Sequence, residues 1–333
     1  MMPTIVPYTY EKKEEKTIFF TSLLKDMKVL VVTEKPFAAE AVNGIKEICE
    51  AAGYEVVLLE KYTEKSQLLE AVADVDALIV RSDKVTAEVI AAARNLKIVV
   101  RAGAGYDNVD LEAATARGIV VMNTPGQNSN AVAELAVAMM IYMSRNQFTS
   151  GTGSEIQGKT LGIHAYGNVG KLVGRKGKAL GMNVIAYDPF VTDDFIFEND
   201  GVRKVSSVEE LYAQSDFLSL HIPATPATRG SIGYDLLTSM PKGATLVNTA
   251  RKEVIDEQGL EKALDERADL KYITDIAPDT AAHLAEKFGK RFFATPKKMG
   301  AETAEANINA GLAAARQIVE FFVEGNTRFQ VNK

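Results

Sequence analysis

From Met27 onward, short apolar runs rich in β-branched residues alternate with stretches in which apolar residues recur every three or four positions. MKVLVVTE (27–34), YEVVLLEK (54–61), DALIVRS (76–82), LKIVVRAG (96–103) and IVVMNT (119–124) read as strands. They are apolar along nearly their whole length, the pattern of a parallel sheet covered on both faces. Between them FAAEAVNGIKEICEAAG, SQLLEAVAD, TAEVIAAARN and DLEAATARG carry helical spacing, with C-cap glycines after the first and last. Residues 128–147 form one long apolar helix, and the polar segment TSGTGSEIQG (149–158) separates it from a second series of the same grammar. The strands of that series are KTLGIHAY, NVIAYD, FLSLHIP, ATLVNTA, LKYITDIA and RFFATP, and an alanine-rich helix over about 301–324 follows them. The pattern predicts an α/β protein with two doubly wound parallel-sheet domains joined by two long helices.

Composition narrows the class. The chain has 333 residues, 47% hydrophobic and 25% charged, enough for two domains with sizeable cores. A net charge of -6 argues against a general nucleic-acid binder, and no apolar run reaches the roughly 18 residues of a membrane span. Residues 1–26 mix charge and aromatics without the apolar core of a signal peptide, so a cytoplasmic protein with an N-terminal extension is expected. The one cysteine, Cys49, reads as a small core residue and leaves no disulfide within the chain. The apolar helix at 128–147 offers more surface than one chain covers, and predicts a homodimer.

One motif match misleads. GSEIQGKT (153–160) fits the P-loop formula, but that loop needs a strand before its glycines and a helix after Lys-Thr. Here a polar linker precedes and a strand follows, so no nucleoside triphosphate site is expected.

The informative stretch is LGIHAYGNVGKLVGRKGKALGMNVIAYD, which runs strand, tight turn, helix, strand, acid. A dinucleotide fingerprint asks for three glycines at that turn, letting backbone approach a pyrophosphate at the helix N-terminus. Ala165, Gly167 and Gly170 occupy the three places, so the first glycine is missing. Asp188 ends the next strand, where a carboxylate accepts from ribose hydroxyls and repels a 2′-phosphate; NAD is therefore expected over NADP. Ligands of open α/β sheets collect at the carboxyl ends of strands. Those ends read His221-Ile222-Pro223, Asn248-Thr249-Ala250-Arg251, Asp275 and Pro296-Lys297-Lys298, so cations and an acid share one edge. The first series ends its strands on Arg81 with Ser82 and Lys84, and on Arg101 before Ala102-Gly103-Ala104-Gly105, where small residues allow close approach of a ligand. Of the three histidines, His164 reads as a core residue, His283 as a surface residue and His221 as a cofactor contact; no metal site is expected.

Taken together, VRSDKVTAEVI, IVVRAGAGYDNVDLEAATARGIVVMNTPGQNSNAVAEL, GKTLGIHAYGNVG, LSLHIPAT, LVNTARKEVIDEQGL and TPKKMGAETAEAN resemble, in order, the D-isomer-specific 2-hydroxyacid dehydrogenase family. The resemblance covers nearly everything from Met27 on. It implies a Rossmann nucleotide domain (125–300) inserted in a flavodoxin-like substrate domain made of 27–124 and 301–333. It implies NAD-dependent hydride transfer, with D-3-phosphoglycerate, a phosphorylated 2-hydroxy acid, as the expected substrate and serine biosynthesis as the setting. A glycerate or hydroxypyruvate reductase, or another D-2-hydroxyacid dehydrogenase, is the alternative, and an NAD(H)-sensing corepressor-like binding protein is a second one.

By the same resemblance Arg251 holds the substrate carboxylate and carbonyl oxygen, while Arg81, Ser82, Lys84, Arg101 and Gly103 meet its phosphate and carboxylate. Gly167, Asn168, Val169, His221, Ile222, Thr249 and Ala250 line NAD, and Asp275 approaches the nicotinamide. The chain departs from the family in three places. Lys298 stands where the proton-shuttling histidine is usual, as in one branch of the family. The partner glutamate beyond Asp275 is absent, with Asp279 the nearest carboxylate. Little sequence follows the last helix, so the small regulatory domain of some relatives is not expected. A lysine serves as proton donor in reduction and, once neutral, as base in oxidation; desolvation and the Arg251 charge would bring its pKa down from about 10.4. Lys297 reads as a solvated neighbour.

Overall fold

The computed structural model describes residues 27–333, so the N-terminal extension lies outside the described residues. The chain divides into two compact units, one ending at Gln127 and resumed at Asn307–Lys333, the other Asn128–Ala306.

The first unit holds β1 (Lys28–Thr33), β2 (Glu55–Glu60), β3 (Ala77–Val80), β4 (Ile98–Arg101) and β5 (Val120–Asn123). All pair in parallel in the order β2-β1-β3-β4-β5, the flavodoxin-like winding. Parallel neighbours need crossovers, and helices such as Ala39–Ala51, Ala87–Ala92 and Leu111–Ala116 supply them. One sheet face packs on Leu68, Val89, Ile90 and Val109. The other packs on Phe37, Ile45 and Cys49 together with Ala310, Ala314 and Ile318 of the last helix, Ala304–Glu324. That helix returns to the first unit because small residues let it approach. Gly311 carries no side chain where a β-carbon would lie 3.2 Å from Ile45, and a β-carbon on Gly44 would collide with Leu312. The C-terminal tail covers the open edge of β5, where Asn332 accepts from the Val121 N–H at 2.9 Å and donates to the Ile119 carbonyl at 2.8 Å.

The second unit holds β6 (Thr160–His164), β7 (Asn183–Tyr187), β8 (Arg203–Lys204), β9 (Phe217–Leu220), β10 (Thr245–Asn248), β11 (Lys271–Thr274) and β12 (Phe292–Ala294). They pair in parallel in the order β12-β11-β10-β9-β6-β7-β8. This is the Rossmann order with one added strand, and the chain reverses direction across the sheet between β6 and β9. Both expected windings are therefore present. Two differences stand out. β8 is two exposed charged residues, too short and polar to show in an apolar pattern. The apolar helix stops at Ser144, and Asn146, Gln147 and Phe148 follow with φ of 53°, 58° and 55°. This left-handed turn costs about 1–2 kcal/mol per residue and persists because its side chains are anchored. Gln147 donates to the carbonyls of Lys290 and Phe292, both at 3.2 Å, and Asn146 to that of Thr152 at 3.0 Å. Among the described residues no helix is long and apolar enough to cross a membrane.

Candidate active site

The turn after β6 shows why a glycine is usual at its head. Ala165 has φ of +80°, a left-handed conformation that an alanine adopts at a cost. The turn is pinned from both sides, since Ala165 N–H donates to the Tyr187 carbonyl and Tyr166 N–H to Asp188 Oδ2 at 2.8 Å. Gly170 lets the helix Asn168–Ala179 approach, because a β-carbon there would collide with the Ala165 carbonyl oxygen. At Gly167 a β-carbon would meet nothing within 4 Å, so the backbone there faces open space at a helix N-terminus whose first amides lack intrahelical acceptors. Asp188 is 8% exposed, and its second oxygen accepts from the Phe190 N–H at 2.9 Å. Each oxygen keeps one lone pair for a hydroxyl.

The strand ends beside this turn carry the other expected contacts. His221 N–H donates to the His164 carbonyl across the winding reversal, and its Nε2 lies 2.9 Å from Ser219 Oγ. Burial, then the neighbouring His164, pushes the His221 pKa down to about 3, so this ring is neutral. Ile222 and Ala250 are buried, and the buried Thr249 hydroxyl has no hydrogen-bond partner among the described residues. An orphaned hydroxyl, an open glycine and a free helix N-terminus on one edge fit a dinucleotide.

Arg251 follows β10 on a loop stapled by Asn248. The fully buried Asn248 accepts from the Ala250 N–H and donates to the Arg251 carbonyl, both at 3.0 Å. The guanidinium is part-buried and donates to the Ala250 carbonyl at 2.8 Å. Lys297 and Lys298 are both exposed, on the loop after β12. Asp275, expected at the nicotinamide, is 1% exposed and engaged by that loop, accepting from the N–H groups of Met299 and Gly300 at 2.7 Å each. Asp279 is an exposed residue paired with Lys252 at 2.5 Å.

In the first unit Arg81, Ser82 and Lys84 sit on the loop after β3, beside that sheet's own reversal between β1 and β3. The loop is braced by Asp83, 5% exposed, whose Oδ1 accepts from the Glu34 N–H at 2.8 Å and the Tyr62 hydroxyl at 3.0 Å. Arg101 Nε donates to the Arg81 carbonyl at 2.9 Å, and its side chain lies over Gly103, where a β-carbon would collide with the guanidinium.

Away from these edges, His164 is a core residue 3.4 Å from the Tyr212 hydroxyl, its pKa pushed down to about 4 by burial, partly opposed by Asp188. His283 pairs with Glu261 on the surface. Thr160 opens β6, so the P-loop look-alike runs into a strand. The described residues contain no cluster of three or more metal-ligating side chains. Sequence reading missed the bracing groups Asp83 and Thr295, whose only signal was a short acid or hydroxyl beside a strand end, and Gly300, which braces through its backbone N–H.

A Rossmann-wound sheet with a dinucleotide turn defines the second unit as a dinucleotide-binding domain. Residues 131–296 match the model of the D-isomer specific 2-hydroxyacid dehydrogenase NAD binding domain. The chain is 35% identical over 282 residues to a hydroxypyruvate reductase of Thermotoga maritima, covering 79% of this chain and 90% of that protein. It is 38% identical over 307 residues to a D-3-phosphoglycerate dehydrogenase of Methanocaldococcus jannaschii, covering 87% of this chain but 57% of that protein's length. The crystal structure of an NAD+-bound 3-phosphoglycerate dehydrogenase of Entamoeba histolytica is similar with a TM-score of 0.81 and 52% identity, over 92% of this chain and 99% of that one. The chain belongs to the D-isomer specific 2-hydroxyacid dehydrogenase family, and its second unit is that family's NAD-binding domain.

Proposed function

We propose that the protein oxidises D-3-phosphoglycerate to 3-phosphohydroxypyruvate, and catalyses the reverse, supplying a phosphorylated precursor for serine synthesis. The observation that carries this reading is the common edge of one sheet that bears Arg251, Lys298 and the dinucleotide turn. Its support in relatives is the phosphoglycerate dehydrogenase of E. histolytica, matched over nearly its whole length. NAD, when bound, supplies the hydride acceptor. Gly167, Asn168 and Val169 would hold its pyrophosphate, Asp188 its ribose, and Thr249, Ala250, His221 and Ile222 the face beside the sheet.

Arg251 orients the 2-oxo acid through its carboxylate and stabilises the charge that develops on the carbonyl oxygen. Asn248 holds that arginine's backbone, so the guanidinium starts from a fixed root. Lys298 takes the hydroxyl proton during oxidation and returns it during reduction. Arg81, Ser82, Lys84, Arg101 and Gly103 bind the phosphate and carboxylate, with arginine suited to bidentate capture. Glycerate or hydroxypyruvate reduction is the second reading, favoured by the T. maritima relative that the chain matches over 90% of its length. A homodimer is part of the proposal. Leu135, Met139, Tyr142, Phe148, Ile273 and Phe293 line an apolar groove of about 470 Å³, with Phe148 69% exposed, and a second copy would cover it.

The deciding assay follows NADH consumption with 3-phosphohydroxypyruvate and with hydroxypyruvate. A kcat/KM at least about tenfold higher for the phosphorylated acid is expected from paired charged hydrogen bonds. A preference for hydroxypyruvate would select the reductase, and no turnover with any 2-oxo acid would select the binding protein.

A further inference from the structure

We infer that Asp275 and Thr295 act as positioning residues for Lys298, fixing the backbone on either side of it. The inference rests on the reading of Lys298 as the acid/base. The loop after β12 has no regular secondary structure to hold it, yet both peptide groups that flank Lys298 are tied down, one to Thr295 at the end of β12 and the other to Asp275 at the end of β11. On one side the Thr295 hydroxyl stands 2.8 Å from the Lys297 carbonyl oxygen and 3.0 Å from Asp275 Oδ1. On the other side the Met299 N–H donates to Asp275 Oδ1 and the Gly300 N–H to Oδ2, each at 2.7 Å. Gly300 is required by this arrangement, because a β-carbon there would lie 3.0 Å from Asp275 Oδ2 and 3.3 Å from Val132. The carboxylate is buried, so its strong acceptors are directed at the loop rather than at water. A long lysine side chain has four rotatable bonds, and anchoring its root on both sides confines the arc its ammonium can sweep. Met299 and Gly300 each occupy one lone pair of the carboxylate, on Oδ1 and Oδ2 respectively, and the Thr295 hydroxyl crowds Oδ1, so Oδ2 is the freer oxygen for any contact with a cofactor amide.

The test is a double-mutant cycle on the full chain, using Asp275→Asn and Lys298→Ala. Asparagine keeps the shape but puts an NH2 against a backbone N–H, so one anchor is lost. The expected result is a fall in kcat of about tenfold to a hundredfold for D275N. NADH affinity by fluorescence titration should stay within about twofold, and D275N/K298A should be no slower than K298A alone. Thr295→Val removes the second anchor without touching the carboxylate, should lower kcat in the same way, and decides the matter where D275N does not fold. Normal kcat in D275N or T295V, with K298A inactive, would overturn the positioning role and leave Lys298 as acid/base. Weakened NADH binding with effects that multiply would make Asp275 a cofactor contact instead. An active K298A would remove the acid/base reading itself, and this inference with it.

Discussion

Replacing Ala165 with glycine should stabilise the protein, which is the reverse of the usual effect of that exchange. The residue sits at the head of the dinucleotide turn with φ of +80°. A side chain in that region costs about 1–2 kcal/mol, which glycine does not incur. Against this, the unfolded chain gains freedom that destabilises the native state by about 0.4–1 kcal/mol. The net expectation is a gain of about 1 kcal/mol, or roughly 2–4 °C in Tm for a unit of this size. Ala285 provides the control, being exposed in the middle of the helix Ala281–Phe288. Glycine there should cost about 1 kcal/mol, so the two variants should move Tm in opposite directions. Thermal and urea unfolding of both variants beside the parent measures this. The reasoning is refuted if Ala165→Gly lowers Tm as Ala285→Gly does, since the turn would then carry no left-handed strain.

Three further outcomes follow from the site and core. An unfolded histidine protonates near pH 6.5, whereas folded His164 holds off to about 4, so the unfolded state binds the extra proton in that window. Stability should therefore be flat above about pH 6.5 and fall by about 2 kcal/mol on reaching pH 5, with His221 adding in the same direction; urea midpoints read this, and His164→Gln should lessen the slope. Asp188→Ala removes the acceptor for the Tyr166 and Phe190 amides and should weaken NAD binding while narrowing its preference over NADP, measured by titration with each cofactor. The oxidative rate should climb towards alkaline pH, because the neutral amine that a lysine base requires is scarce at neutrality, and a flat pH profile of kcat would count against Lys298.

The two parallel sheets were legible because strands buried on both faces have to be apolar throughout, as the VLVV, LIV and IVV runs are, whereas their Rossmann and flavodoxin-like windings were implied by the family resemblance. The turn at Ala165 was legible too, through the spacing of Gly167, Gly170 and Asp188. The left-handed turn at 146–148 was not. Nothing in Asn-Gln-Phe forecasts it, because its anchors are carbonyls of Lys290 and Phe292, far along the chain. The same limit applies to the candidate site. Arg251 and Lys298 could be picked out as strand-end cations, but what holds them could not. Asn248 reads as one more polar residue, and Asp275, picked out as a strand-end acid near the nicotinamide, gives no sign that it holds the lysine loop until folding brings β10, β11 and β12 side by side. Chemistry-bearing residue types show in a sequence, whereas their supports are defined by hydrogen bonds to backbone groups that every residue carries.

The central claim is that two adjacent lysines differ in kind, and one comparison tests it most directly: kcat for reduction of 3-phosphohydroxypyruvate by Lys297→Ala and Lys298→Ala. Loss of a general acid predicts a fall of about 10²–10⁴ for K298A, with K297A close to the parent. Equal turnover in the two variants would contradict the assignment.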